Sequence, residues 1–317
     1  MEKKPVIAVV GPTASGKTAL AVTIAQQYNG EVVSADSMQI YKGMDIATAK
    51  PSPEEMQEIV HHLIDYVDPA EKYSVARYVQ DAKAAIADVH ARGKIPVICG
   101  GTGLYIDSLL GNVQFEDEPD NQEIRKELTE RMATLGAEQL LAELEAVDPE
   151  MASVLHPNNK GRIIRALEVY RLTGQTASER RKRAVQQPPV YDVLYIALAF
   201  PEREYLYERI DKRVDIMLDM GLEQEARAFL QLHTDTAAQA IGYKELKGWF
   251  NGEISREAAI ENLKRETRRY AKRQMTWFRR NESIHYINRS RTSTQEEIAS
   301  QAFDIIEQSG LLKGAEK

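Results

Sequence analysis

Pro5-Val6-Ile7-Ala8-Val9-Val10, followed by Gly11-Pro12-Thr13-Ala14-Ser15-Gly16-Lys17-Thr18, is the stretch that decides the fold. The first six residues are apolar and β-branched, the composition of a strand buried on both faces of a parallel sheet. The next eight match G-x-x-x-x-G-K-[ST]. In that pattern glycines let the backbone fold around an anion, and successive N–H groups point inward with a helix N-terminus behind them. Lys17 suits the neutralisation of phosphate oxygens, and the Thr18 hydroxyl suits a magnesium ligand. Lys17–Tyr28 reads as the helix that follows. A chance match in a surface loop would lack this strand–turn–helix setting.

The same alternation continues outward. Glu31–Ala35 reads as a second buried strand ending at Asp36. Pro51–Val60 reads as helix with Ser52 as N-cap, and His62–Ile64 as a short strand. Ser74–Arg92 is an amphipathic helix closed by Gly93. Ile95–Cys99 is a further strand, followed by Gly100-Gly101-Thr102-Gly103. This is the pattern of an α/β fold of the P-loop NTPase-like kind, a mostly parallel sheet with helices on both faces. After Gly111 the pattern changes. Asn121–Leu144 and Asn158–Arg183 are helix-like, with no strand between them, so residues 115–187 are expected to form a helical insertion domain. Residues 1–114 and 188–317 then form the core, with Gln186-Gln187-Pro188-Pro189 as the hinge leading back. Val190–Phe200 resumes the sheet, Glu202–Met220, Leu222–Leu232 and Ser255–Arg280 are helices, and Ser283–Ile287 and Thr294–Gln308 supply a last strand and helix.

Composition narrows the class. The chain has 317 residues, 43% of them hydrophobic and 28% charged, with a formal net charge of -7. Cys99 is the only cysteine, so an intrachain disulfide and a Cys-based zinc finger are both excluded. A reducing cytoplasm fits that usage. The apolar run near the start is too short for a signal-peptide core, and no segment approaches the roughly 20 apolar residues of a membrane helix. The negative charge argues against a uniformly basic protein, but a local basic face is enough to collect phosphates.

Several polar residues carry a functional and a plain structural reading side by side. A nucleotide hydrolase would pair the phosphate loop with a second strand ending in Asp. The best candidate, His62-Leu63-Ile64-Asp65, is short and weakly apolar. Asp36 is better placed, because the carboxyl ends of parallel strands are where α/β proteins hold ligands; its plain reading is an Asx turn. His61 and His62 diverge and have no third ligand at metal spacing, so no transition-metal site is expected. Arg265, Arg268, Arg269, Lys272 and Arg273 share one side of a helix, with Leu263, Tyr270 and Trp277 on another side, taken as core. Glu266 is the only acid between Arg265 and Arg280. That favours a phosphate-binding stripe over a solvated face of mixed charge.

The phosphate loop, Asp36-Ser37-Met38-Gln39-Ile40-Tyr41, Asp45-Ile46-Ala47-Thr48-Ala49-Lys50-Pro51 and Gly100-Gly101-Thr102-Gly103-Leu104-Tyr105 resemble, in order, the tRNA dimethylallyltransferase (tRNA isopentenyltransferase) family of the bacterial type without a zinc finger. The resemblance continues through Arg162 with Arg165-Ala166-Leu167-Glu168-Val169, Ala240-Ile241-Gly242-Tyr243-Lys244-Glu245, Tyr270-Ala271-Lys272-Arg273-Gln274 and Thr276-Trp277, and so covers nearly the whole chain. Ala47 departs from it, where the family usually has Gly. The resemblance implies transfer of a dimethylallyl group from dimethylallyl diphosphate to the N6 amine of the adenine 3′ of the anticodon, with Mg²⁺ as cofactor. It implies diphosphate held by Gly11–Thr18 (Gly11, Pro12, Thr13, Ala14, Ser15, Gly16, Lys17, Thr18) and Arg213, and metal held by Thr18. Catalysis falls to Asp36 as proton acceptor with Lys17, Thr102 and Arg125. The tRNA anticodon stem-loop would meet Asp36, Ser37, Met38, Gln39, Thr102, Arg125, Gly161, Arg162, Ile163, Ile164 and Arg165, with the stripe residues Arg268, Arg269, Lys272 and Arg273. A cytoplasmic monomer without membrane contact is expected. The competing readings are an adenylate isopentenyltransferase, a P-loop small-molecule kinase and a non-enzymatic RNA-binding protein. The insertion and the basic helix favour tRNA, and intact Lys17, Thr18 and Asp36 favour an enzyme.

Overall fold

The computed structural model describes residues 3–116, 121–232 and 240–313. The chain divides into two compact units, Met1–Leu110 with Val190–Lys317, and Gly111–Pro189.

The first unit is built on six strands, β1 (Lys4–Val10), β2 (Gly30–Ser34), β3 (His61–His62), β4 (Ile95–Gly100), β5 (Tyr191–Ala199) and β6 (Ile284–Asn288), in the order β3-β2-β4-β1-β5-β6. Every pairing between them is parallel. Its helices are α1 (Lys17–Gln27), α2 (Pro53–Met56), α3 (Val75–Ala91) and α4 (Gly103–Leu110), then α10 (Arg203–Asp219), α11 (Leu222–Gln231), α12 (Tyr243–Phe250), α13 (Arg256–Phe278) and α14 (Gln295–Ser309). The strand alternation explains the two layers. Val6, Ala8 and Val10 point into one apolar cluster with Tyr78, Ile106 and Leu263. Ile7 and Val9 point into another with Leu20, Ile24 and Ile298. A central strand buried on both faces must be apolar at every position, which is why β1 reads as a continuous run.

The second unit is a bundle of α5 (Gln122–Leu135), α6 (Ala137–Val147), α7 (Pro149–Ser153), α8 (Lys160–Thr173) and α9 (Ala177–Ala184) around Leu128, Met132, Leu140, Leu144, Ile163 and Leu167. Two expected long helices are each divided. Asn121–Leu144 breaks at Gly136, whose φ of 86° and ψ of 165° leave the helical region. Asn158–Arg183 breaks at Gly174, left-handed at φ 67°, before Thr176 opens α9 with a capping box. The expected helix Pro51–Val60 is cut to one turn. Ser52 caps it as anticipated, but Gln57 and Glu58 both take positive φ and end it. Among the described residues no helix is long and apolar enough to cross a membrane.

Candidate active site

Three loops meet where β1, β4 and β2 lie side by side. The register pairs Val10 with Gly100 and Ser34 with Cys99. Their carboxyl ends therefore align, and Gly11–Thr18, Gly100–Thr102 and Asp36–Gln39 emerge from one edge. Close approach explains the second glycine loop. A Cβ on Gly100 would stand 2.2 Å from the Ala35 carbonyl oxygen, and one on Gly101 would meet the Gln274 side chain at 2.1 Å.

The loop after β1 turns through Gly11 (φ 142°), Ala14 (φ 60°) and Gly16 (φ 94°) before α1 begins. Side chains from remote parts of the chain hold its backbone. Thr13 N–H donates to Gln274 Oε1 at 2.8 Å, Arg209 Nε donates to the Ala14 carbonyl at 2.8 Å, and Arg289 Nη1 donates to the Ser15 carbonyl at 3.0 Å. Lys17 Nζ reaches the Pro12 carbonyl at 3.4 Å. Burial holds the Lys17 ammonium below its ordinary pKa, against the raising influence of Cys99 and Asp36 and with Arg213 adding to the shift. Arg213 is likewise lowered, first by burial, and Glu55 and Asp36 oppose that shift. Two half-buried cations with so few carboxylates near them favour an anionic guest.

Asp36 adopts the Asx turn. Its Oδ1 accepts from Met38 N–H at 2.9 Å and Gln39 N–H at 3.3 Å. Turn and function coexist, since no donor among the described residues meets Oδ2. The Thr102 hydroxyl accepts from Ser37 N–H at 3.1 Å. Gln39 is spent on structure, its Nε2 donating to the carbonyls of Thr48 and Ala49. Arg213 Nη2 donates to the same Ala49 carbonyl at 3.3 Å. The loop carrying these carbonyls is pinned by Glu225, which accepts from the N–H groups of Asp45, Ile46 and Ala47 and from the Tyr243 hydroxyl. Ala47 has no positive φ, so its backbone does not call for glycine.

These groups line one cavity of about 320 Å³. Its lining combines the polar groups of Lys17, Thr18, Asp36 and Arg213 with the apolar side chains of Ile210, Val214, Met217, Leu222, Ile241 and Leu263. Cys99 also lines it; burial pushes its thiol up to about 11, with Lys17 and the Thr18 hydroxyl opposing. Tyr270 is more than core, as it lines the cavity with Arg273 and Gln274 and interacts through its hydroxyl with Thr102 and Gln274. Trp277 is not deep core either; its indole N–H donates to Asp107 at 2.8 Å, and the Arg280 guanidinium lies 4.0 Å from its ring centroid. The sequence reading gave no role to Arg209, Arg289, Glu225 or Gln274. Only Gln274 carried a signal, by closing the Tyr270–Gln274 motif.

The basic residues are placed unevenly. Arg268 is not a free phosphate ligand: Asp211 from α10 and Glu261 from its own helix meet it at 2.7 and 2.9 Å. Arg269 pairs with Glu266, and Arg265 donates to Asn262. Lys272 and Arg273 are exposed. In the second unit Arg125, Gly161 and Arg162 are exposed, while Ile163 and Ile164 are core side chains, 0% and 8% exposed. Their side chains therefore cannot touch a macromolecule without unpacking the bundle. Arg165 pairs with buried Glu168 at 2.9 Å.

A parallel sheet with a phosphate loop at its carboxyl edge and a half-apolar cavity beside it defines the class, a P-loop α/β protein that accommodates an anion attached to an apolar group. The model of the IPP transferase family matches residues 39–281. The tRNA dimethylallyltransferase of Caldanaerobacter subterraneus subsp. tengcongensis is 47% identical over 95% of this chain and 97% of its own, and that of Bacillus pumilus is 51% identical over 87% of each. The crystal structure of the tRNA isopentenylpyrophosphate transferase from Bacillus halodurans aligns with a TM-score of 0.72 at 39% identity, over 99% of this chain and 98% of that one. A eukaryotic dimethylallyltransferase captured acting on tRNA aligns with a TM-score of 0.82 at 31% identity, over 98% and 80%. The chain belongs to the IPP transferase family, that of the tRNA dimethylallyltransferases.

Proposed function

We propose that this chain transfers a dimethylallyl group from dimethylallyl diphosphate to the N6 amine of the adenine 3′ of the anticodon in tRNA. The observation that carries the reading is the mixed lining of one cavity, with Lys17, Thr18 and Arg213 available to a diphosphate and apolar side chains available to a five-carbon tail. The amine nitrogen attacks C1 of the dimethylallyl group, the C1–O bond breaks, and diphosphate leaves with the electron pair. The proton lost by the amine passes to Asp36, whose Oδ1 is already held by two N–H groups, leaving Oδ2 to accept it. Lys17 and Arg213 offset the charge that develops on the departing oxygen. Thr102 is assigned the orientation of the base.

Thr18 presents a hydroxyl oxygen to the cavity, a hard donor of the kind that fits Mg²⁺. The ion when bound would neutralise diphosphate charge. The base must leave the anticodon-loop stack to reach Asp36, and extrusion from a single-stranded loop costs little. Ser37, Met38 and Gln39 would line its entry. Lys272 and Arg273 on α13 would hold the tRNA backbone.

The test is to offer the protein dimethylallyl diphosphate and Mg²⁺ with unmodified tRNA, with AMP, or ATP with small acceptors in place of the prenyl donor. Prenylated adenine in tRNA alone is expected. Product with AMP alone would replace the reading by an adenylate isopentenyltransferase, and phosphoryl transfer from ATP would replace it by a kinase.

A further inference from the structure

We infer that Gln274, Arg209 and Arg289 are positioning residues that hold the loop after β1 in its phosphate-receiving conformation. The inference rests on the diphosphate reading of the cavity and deepens it. A peptide unit is planar, with its C=O and N–H on opposite sides. Arg209 holds the Ala14 carbonyl, and through the planar peptide it fixes the direction of the Ser15 N–H, opposite to that carbonyl. Arg289 does the same to the Ser15 carbonyl and so aims the N–H of Gly16. Gln274 fixes the start of the turn by accepting from Thr13 N–H. Its Nε2 also donates to the Gly101 carbonyl at 3.0 Å, which ties the two glycine loops together.

The loop needs such restraint. Ala14 sits at φ 60°, a left-handed conformation that costs a residue with a Cβ of order 1 kcal/mol or more. The three side chains come from α10, from the segment after β6 and from α13, so the loop is gripped by elements distant in sequence. Arg209 and Arg289 pair with no carboxylate among the described residues. They donate to backbone carbonyls and to Tyr205, with Arg209 reaching its hydroxyl at 3.5 Å.

Gln274 gives the cleaner test because it is neutral, so its loss changes no charge beside the phosphate. Gln274→Met keeps the volume and removes both hydrogen bonds. Titration of inorganic diphosphate with Mg²⁺ into this variant should show affinity about ten-fold weaker, the scale of one or two lost hydrogen bonds. The donor KM should rise with it, and the tRNA KM should stay within about two-fold. Arg289→Gln, at a half-buried position, is the second variant and should show the same split. Variants that melt earlier yet bind diphosphate like the wild type would reduce these residues to packing and overturn the clamp alone. A wild-type protein that binds no diphosphate would overturn both the clamp and the functional reading beneath it.

Discussion

The two edges of the sheet both bury charge and use it in opposite ways. At the amino edge Glu31, 1% exposed on β2, is met by Arg92, by Lys94 at 2.8 Å and by His62 at 2.7 Å. At the carboxyl edge Lys17 and Arg213 make no ion pair with a carboxylate among the described residues; Asp36, within electrostatic reach of both, has its Oδ1 taken up by two N–H groups. The first cluster is closed: Asp88 also holds Arg92, at 2.7 Å, so two cations meet two carboxylates. The second holds more positive charge than its own carboxylates balance. A closed cluster stabilises a fold, and an open one awaits a ligand that completes it.

The largest effects on turnover are expected at the open edge. Asp36→Ala removes the proton acceptor and should lower turnover by about 10²-fold or more, with inorganic diphosphate still bound. Lys17→Ala should act on the other step, weakening diphosphate binding itself. Single-turnover kinetics and diphosphate titration separate them. Turnover within a few-fold of wild type in Asp36→Ala would remove the carboxylate from the chemistry.

An intermediate effect is expected on α13, where the charge is partly closed. Lys272→Ala with Arg273→Ala should raise the tRNA KM and flatten the salt dependence of tRNA binding, by a slope of about 1.4 if both residues meet phosphates of a single-stranded loop. Arg268→Ala should leave that slope alone, because Asp211 and Glu261 already hold the guanidinium, and should cost only about 1 kcal/mol of stability. A flattened slope in Arg268→Ala would show that tRNA displaces the acids and that the stripe acts as a whole.

The contrast also separates what a sequence discloses from what it conceals. The loop Gly11–Thr18 and the Asp36 turn were legible because their backbone shapes demand particular residues in consecutive positions: glycine at φ 94° for Gly16, and an Asx side chain two residues before the N–H it accepts. Gly136 and Gly174 were equally visible, but a helical charge pattern on both sides outweighed them in the reading. The pairing of Arg268 was hidden, since Asp211 lies 57 positions away and no local pattern announces a partner on another helix. The clamp on the phosphate loop was hidden for the same reason: Gln274 lies 261 positions from Thr13. The burial of the Ile163 and Ile164 side chains was hidden too, because a motif marks which residues recur together without telling a contact from its support.

At the closed edge the expected effect on turnover is nil, and the measurable effect is on acid stability. Hydrogen bonding from Arg92 holds the Glu31 carboxyl well below its usual range, with burial opposing and Lys94 and His62 adding to the depression. A carboxylate whose folded pKa is depressed contributes stability that is fully present above its unfolded value, near 4.5, and is lost as pH falls from there toward the folded value. At pH 7 Glu31→Gln should therefore be less stable than wild type by more than about 1 kcal/mol, with turnover unchanged. As the pH is lowered from about 5 to about 3, the wild type should lose this advantage and the two urea midpoints should draw together. A gap that stays constant from pH 7 to pH 3 would mean that Glu31 acts through packing rather than charge. Lost turnover in the variant at pH 7 would mean that the amino edge is coupled to the site, and that the division between a closed and an open cluster does not hold.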